Sequence, residues 1–197
     1  KYPSLTPYNH CANNPLILID PDGRWSIYVH LEKDRVKSGY GIAELRNNQG
    51  ESIFQFTIRA EGIGGRNRMV ENADTPLGVY DIPNGCAWIS GGNRASYGPN
   101  HRLVMNPESG EIKKSGRNSI RIHGGRQEIF DTKSNKWEAV ENPQLKKTKG
   151  CLRAYDKDMK LLKELTDALE KNNKSEYPDK VYVNDDLEKY NVVKYEQ

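Results

Sequence analysis

The chain has 197 residues, a hydrophobic fraction of 35% and a formal net charge of +3 from 30 basic and 27 acidic side chains. This length suits one domain with a short attached segment, and so small a net charge argues against a nucleic-acid binder. No apolar run reaches about 18 residues, so the sequence predicts no transmembrane helix. The chain opens at Lys1 without a Met or a signal peptide, and we therefore expect a fragment of a longer protein.

Residues 1–23 are dense in turn-forming residues. Prolines recur at Pro3, Pro7, Pro15 and Pro21, and the last of these belongs to a predicted turn at 20–23. We expect little regular structure in this segment beyond the short apolar run 16–19.

Residues 24–197 are predicted to form one domain built mostly of strands. The alternation of Trp25, Ile27, Val29 and Leu31 with polar or amphipathic residues indicates a strand, and the Asn-rich segment 47–50 indicates a hairpin turn. A further turn is predicted at 107–110. The remaining strand candidates are 40–45, 53–58, 79–82, 103–105, 119–123, 181–183 and 192–193.

One helix is predicted over about 156–171. Asp156 is a candidate N-cap, and an apolar stripe recurs at helical spacing. The stripe comprises Leu161, Leu162, Leu165, Ala168 and Leu169. Together these patterns predict a mainly β fold (β-rich α+β) with one principal helix, whose stripe faces the core.

Three cysteines are present, so at least one thiol stays unpaired in any monomeric disulfide scheme. Cys11 and Cys86 are predicted to be either paired with each other or buried, and burial is favoured because free cysteine is among the most buried residue types. No Cys or His spacing matches a zinc site, and neither a metal nor an organic cofactor is predicted for this chain.

Two segments carry the residue types of nucleophilic catalysis. An apolar strand ends at His123 and turns on Gly124 and Gly125, which leaves open space beside a candidate base. In the second segment, Gly150 precedes Cys151, and both amides are candidates for stabilising an oxyanion. The cations Lys149 and Arg153 flank this thiol and are predicted to favour the reactive thiolate.

These segments resemble the catalytic domain of the L,D-transpeptidases (YkuD-type). The resemblance rests on His123-Gly124, on Thr148, Gly150, Cys151, Leu152 and Arg153, and on the upstream Thr75-Pro76-Leu77-Gly78 strand entry. It covers roughly residues 25–170 and implies a mixed sheet or sandwich with the principal helix after the catalytic cysteine. Lys149 stands where most members have a second histidine, and residues 127–147, which hold Trp137, are predicted to be an insertion or lid.

The resemblance implies a cysteine-dependent L,D-transpeptidase or L,D-carboxypeptidase acting on peptidoglycan stem peptides. It assigns Cys151 as nucleophile, His123 as base and Gly150 to the oxyanion site. Arg153 is expected either to bind a substrate carboxylate or to brace the loop. The other candidate substrate-binding residues are Gly124, Thr148, Lys149 and His101, although His101 and His30 also suit ordinary structural roles.

The first 23 residues resemble the end of an Rhs/YD-repeat core, through the segment 2–9, Cys11 to Pro15 and Asp20-Pro21-Asp22-Gly23. Such a junction implies a secreted or periplasmic effector domain, with an immunity protein as a partner. Two alternatives stay open: a catalytically inactive cell-wall-binding module, and a toxin with another substrate. A nuclease is disfavoured by the small net charge and the lack of a metal-binding histidine array.

Overall fold

The computed structural model describes residues 24–35, 38–172 and 177–190. The predicted leader 1–23 and the strand candidate 192–193 lie outside these residues. The strands are β1 (Arg24–Leu31), β2 (Tyr40–Arg46), β3 (Ser52–Arg59), β4 (Gly78–Asp81), β5 (Trp88–Ile89), β6 (Arg102–Ser109), β7 (Ile120–His123), β8 (Glu128–Asp131), β9 (Lys136–Ala139), β10 (Leu152–Ala154) and β11 (Tyr177–Asn184). The helices are α1 (Arg94–Tyr97), α2 (Glu111–Ser115) and α3 (Asp156–Asn172).

Nine of the described strands form one mixed sheet in the order β4-β11-β1-β2-β3-β10-β7-β6-β5. A further pairing of β4 with β6 closes this sheet on itself. Strands β8 and β9 form a separate hairpin. The sheet is mainly antiparallel, but β1 pairs in parallel with β11 and β10 pairs in parallel with β7. The predicted mainly β fold with one long helix after Cys151 is confirmed.

Strand β1 shows why the alternating sequence folds as it does. Its apolar residues Trp25, Ile27, Val29 and Leu31 are fully buried in the core. The opposite face is covered as well: His30 is buried, its Nδ1 lies 2.9 Å from a carboxylate oxygen of Asp186, and its ring stacks on Tyr190. His30 therefore sits in a structural polar cluster that attaches the residues after β11 to the sheet.

Helix α3 packs on the core through three of the five predicted stripe residues, together with Met159. Met159 and Leu162 are fully buried and Leu165 and Leu169 are partly buried, whereas Leu161 is exposed. Ala168 is exposed as well. The buried positions recur at intervals of three and four residues, and Met159, left out of the predicted stripe, sets their phase.

Two local predictions were wrong. Residue Pro107, predicted to begin a turn, lies in β6 opposite Tyr80, and a register shift next to this pair accommodates the residue that cannot donate a ladder hydrogen bond. The burial predicted for Cys86 was wrong, because this residue is exposed at the end of a tight turn in which its amide donates to the Pro83 carbonyl; the alternative, pairing with Cys11, stays a prediction. It forms no disulfide within the described residues, and Cys11 lies outside them.

Candidate functional site

The parallel pairing of β7 and β10 brings the two predicted catalytic segments together. Leu152 is the register partner of Ile122, and Arg153 is the partner of His123. Leu152 and Ile122 are fully buried in the core. Because side chains alternate along a strand, His123 and Arg153 leave the opposite face, and Cys151 stands directly before β10.

The His123 ring is buried, with 2% of the residue exposed. Its Nδ1 lies 2.7 Å from the Gly124 carbonyl oxygen, which can only accept, so Nδ1 carries the proton and Nε2 keeps a lone pair. The ring packs edge-on against Tyr97, with 5.0 Å between centroids. Burial lowers the pKa of His123 to about 3, and the nearby cation Arg153 acts in the same direction. His123 is therefore a neutral imidazole at neutral pH, in the tautomer that a general base requires.

The thiol of Cys151 is partly exposed. Its Sγ lies 3.9 Å from the Ser119 carbonyl oxygen, and the backbone N–H of Arg121 donates to it. Burial raises the pKa of the Cys151 thiol even though Arg121, Arg153 and Arg117 favour the thiolate. Arg153 thus favours the thiolate, as predicted, but desolvation outweighs the cations and the net shift of the pKa is upward. Within the described residues no hydrogen bond joins this sulfur to the His123 ring.

The turn before the cysteine is closed by Thr148. Its hydroxyl donates to the Cys151 carbonyl at 2.6 Å and accepts the Gly150 amide at 3.1 Å. The Gly150 amide thus already donates its hydrogen bond to Thr148, which contradicts its predicted role as an oxyanion donor. Because Thr148 is buried, it stabilises the turn from inside the protein and is not accessible to a ligand.

Gly150 is required by its backbone and by its neighbour. Its φ is +103°, and a Cβ placed there would lie 1.8 Å from a terminal nitrogen of Arg117. Arg117 is itself buried, with 7% exposed, and burial lowers its pKa. Its terminal nitrogens donate to the carbonyl oxygens of Arg68, Ala73 and Asp74. Arg117 therefore joins the loop 68–74 to the back of the cysteine turn.

A second brace holds the histidine turn. One oxygen of Asp156 accepts the Gly125 amide at 2.7 Å, and a Cβ on Gly124 would lie 1.9 Å from the same oxygen. Gly124 is thus needed for the close approach of α3, and its part in substrate binding stays a prediction. Asp156 begins α3 as predicted, but its carboxylate binds the turn outside the helix.

Of the two roles predicted for Arg153, the structure supports the one in which it braces the loop. It is 4% exposed, and its donors reach the backbone carbonyls of Lys146 at 2.9 Å, Gly124 at 2.7 Å and Ser96 at 3.1 Å. Burial lowers its pKa to about 10. Bound to three carbonyls, this guanidinium fixes the segment before the cysteine turn to the histidine turn.

The other two predicted substrate-binding residues are exposed. Lys149 lies at the tip of the cysteine turn, and His101 lies directly before β6. Among the described residues no hydrogen bond or ring contact joins His101 to His123 or Cys151. His101 therefore matches its ordinary surface interpretation.

The predicted insertion 127–147 contains the hairpin of β8 and β9. This hairpin lies against α1, because Arg94 pairs with Glu128 at 2.8 Å and stacks over the Trp137 ring. A cavity of about 390 Å³ lies between the hairpin and the start of α3, with Val140 and Tyr155 in its wall. A lid function for 127–147 stays a prediction, since the described contacts of the hairpin run to α1.

Sequence reasoning missed Arg117, Arg121, Tyr97 and Asp156 as parts of this site. The alternation of side chains along β7 could have indicated only Arg121, which shares a strand face with His123. Among the described residues no group of three or more His, Cys, Asp or Glu side chains is placed to hold a metal ion. In the same residues no helix has the length and apolar character needed to cross a membrane.

No protein-family model and no curated protein matches this chain. A solved structure titled "Structure of Bdellovibrio bacteriovorus Bd1075" is similar, with a TM-score of 0.49 and 16% sequence identity. The match covers 87% of this chain and 53% of that chain, so this chain spans about half of that protein. A likeness this low carries no conclusion about activity.

Proposed function

We propose that this domain cleaves or exchanges a peptide bond in peptidoglycan stem peptides through a thioester at Cys151, as an L,D-transpeptidase or L,D-carboxypeptidase. The observation that supports it is the parallel pairing of β7 with β10, in which His123 is the register partner of Arg153, two residues after Cys151. The motif resemblance supplies the substrate class, a stem tetrapeptide whose last residue is released.

The chemistry starts from a neutral pair. Cys151 is a thiol and His123 a neutral imidazole with its Nε2 lone pair free to accept, because Nδ1–H is held by Gly124. Sγ attacks the carbonyl carbon of the third stem residue while its proton passes to Nε2. The imidazolium then protonates the departing amine of terminal D-Ala, and a thioester remains. Water, a D-amino acid or another amine resolves it by attack on the same carbon.

The oxyanion needs donors other than the Gly150 amide, which Thr148 accepts. In this proposal the Cys151 amide supplies the first hydrogen bond, since it immediately follows the glycine whose positive φ sets its direction. A thiol and an imidazole that are both neutral at rest require proton transfer during attack, which favours catalysis at alkaline pH.

The test is mass spectrometry of purified muropeptides after incubation with the protein and with Cys151→Ala. Loss of D-Ala from tetrapeptides, or new dimers, only with intact Cys151 supports the proposal and identifies the acceptor. Cys86→Ala is the matched control, because Cys86 is an exposed thiol remote in sequence from the site. Unchanged muropeptides with folded protein in every sample would contradict it.

A catalytically inactive binding module is the second candidate. It is favoured by one observation: the Cys151 sulfur contacts Ser119 O and the Arg121 N–H, and no hydrogen bond links it to His123 in the described residues. Stem-peptide binding that is equal in wild type and Cys151→Ala, with no turnover in either, would establish this alternative.

The biological setting is part of the same proposal. The resemblance of residues 1–23 to an Rhs core supports a secreted or periplasmic effector that trims or caps the stems of a competitor, with an immunity protein as its partner. Export of the domain to the periplasm of a test bacterium should stop growth, whereas Cys151→Ala should not. Growth that continues in both cases would contradict the toxin role and leave the enzymatic proposal to the muropeptide test.

A further inference from the structure

Three arginine side chains lie close enough to Cys151 to act on its charge: Arg121, Arg153 and Arg117. No ion pair joins any of them to a carboxylate in the described part of the chain, although other arginines there do form such pairs. Guanidinium groups close to a protein surface attract an anion strongly when no internal carboxylate neutralises them. The surroundings of the thiol therefore carry positive charge that no ion pair neutralises, and that Asp156 near Arg153, and Asp74 and Glu71 near Arg117, offset only from a distance.

Two of these arginines have structural tasks that occupy their donors. Arg117 and Arg153 are almost completely buried, and each donates to three backbone carbonyls. They contribute charge to the site but are committed to holding its two turns. Arg153, the residue that the sequence suggested for a substrate carboxylate, is thus poorly disposed to bind one in a bidentate way.

Arg121 differs from both. Its side chain is partly exposed and makes one described hydrogen bond, from a terminal nitrogen to the Ile120 carbonyl at 3.0 Å. Its own backbone N–H donates to the sulfur of Cys151. Because it stands two residues before His123 on β7, it lies on the same strand face as the candidate base, and its backbone contact with the sulfur keeps it next to the candidate nucleophile. Among the described contacts its remaining N–H donors have no partner.

We propose that Arg121 binds the free carboxylate of the peptide whose bond Cys151 attacks, and so makes the site specific for acyl donors that end next to the scissile bond. This inference rests on the proposed function. A planar guanidinium matches a carboxylate through two parallel N–H donors, and the charge of Arg117 and Arg153 adds to the attraction. A donor whose terminal carboxylate is blocked leaves Arg121 without a partner.

The first test measures the charge at the thiol without any peptide. Rates of alkylation by iodoacetate and iodoacetamide are compared at Cys151 by peptide mapping, with exposed Cys86 in the same molecule as the internal standard. The iodoacetate-to-iodoacetamide ratio should be higher at Cys151 than at Cys86. Arg121→Gln should lower the Cys151 ratio by about three- to tenfold, as expected for loss of one nearby unpaired charge.

Two variants control this test. Arg121→Lys keeps the charge and should keep most of the ratio. Lys160→Gln removes one charge from the exposed face of α3 and should change nothing. An equal ratio at the two cysteines, or a ratio that Arg121→Gln leaves unchanged, would overturn the inference.

The second test uses a stem tetrapeptide with a free C-terminal carboxylate and the same peptide as its carboxamide. Binding is measured in the Cys151→Ala background, so that turnover is not required. Arg121→Gln should weaken binding of the free acid about ten- to hundredfold, in line with loss of a hydrogen bond to a charged group, and should leave the carboxamide nearly unchanged. Arg121→Lys should fall between.

The two proposals fail in different ways. If the acid-selective binding depends on Arg121 but no muropeptide is ever converted, carboxylate binding by Arg121 is supported and the catalytic proposal fails. If muropeptides are converted with Cys151 intact while acid and carboxamide bind equally well, with or without Arg121, the catalytic proposal stands and this inference fails.

Discussion

The substitution Gly150→Ala tests how the cysteine turn is built. At a φ of +103° an alanine is strained, and its Cβ would lie 1.8 Å from a terminal nitrogen of Arg117. That nitrogen donates to the Ala73 carbonyl at 3.1 Å, so relief of the clash breaks at least this buried, charge-assisted hydrogen bond. The backbone strain costs about 1–3 kcal/mol, and the broken bond to a charged group about 1.5–3 kcal/mol.

Gly65→Ala is the matched control. Gly65 has a similar φ of +94°, but a Cβ there meets no atom within 4 Å. This variant should lose only the stability that the strained backbone costs. Gly150→Ala should therefore lower the free energy of unfolding by about 2 kcal/mol more than Gly65→Ala. Urea denaturation followed by far-UV circular dichroism measures both values.

A double-mutant cycle isolates the contact. In an Arg117→Met background the guanidinium is gone, and the cost of Gly150→Ala should fall to that of Gly65→Ala. Equal losses for the two glycine variants in the wild-type background, or an unchanged Gly150→Ala cost without Arg117, would refute the packing of this arginine against the turn.

Three further outcomes follow from the described contacts. Because folding lowers the pKa of His123 from 6.5 to about 3, its contribution to stability is complete above pH 6.5 and is lost as pH falls toward 3. Between pH 7 and pH 5 the free energy of unfolding of wild type, measured by urea melts at each pH, should therefore fall by about 2 kcal/mol more than that of His123→Gln. Equal losses in the two proteins would contradict this. Since burial raises the pKa of the Cys151 thiol, its alkylation rate by iodoacetamide should keep rising above pH 9, the ordinary thiol value, and a plateau below pH 8 would contradict this effect of burial. Thr148→Val removes the hydroxyl that joins the Gly150 amide to the Cys151 carbonyl, so it should cost about 1–3 kcal/mol in urea melts and slow any muropeptide conversion, whereas unchanged stability would show that the turn holds without it.

The first three strands were predictable because their signals are local. Apolar alternation marks β1, and the hairpin between β2 and β3 closes on the Gly50 amide, which donates to Asn47 at 2.9 Å. Strand β10 was not predictable, since three residues carry no periodicity. Leu152–Ala154 becomes a strand because β7 and β3 flank it in the folded sheet, and these partners are remote in sequence.

The candidate site was predicted in part for a similar reason. Glycines next to His123 and Cys151 mark two turns, and each turn needs its glycine in the structure as well. Arg117 left no such mark, because it binds backbone carbonyls, and a carbonyl is present at every position of the chain. The Gly150 amide was assigned to the oxyanion without regard to Thr148, whose hydroxyl two residues earlier was close enough in sequence to suggest a competing local hydrogen bond.

The protonation state of the thiol could not be read by counting charges along the chain. Lys149 and Arg153 flank Cys151 in sequence, yet Lys149 points into solvent, where water screens it, and Arg153 is held by three carbonyls. Burial then dominates and raises the pKa of Cys151, while the same burial lowers that of His123. An anionic ligand that displaces water would leave this pair neutral and bring its own charge to Arg121. If Arg121 binds a carboxylate as proposed, the ligand, and not the thiolate, supplies the negative charge that the arginines attract.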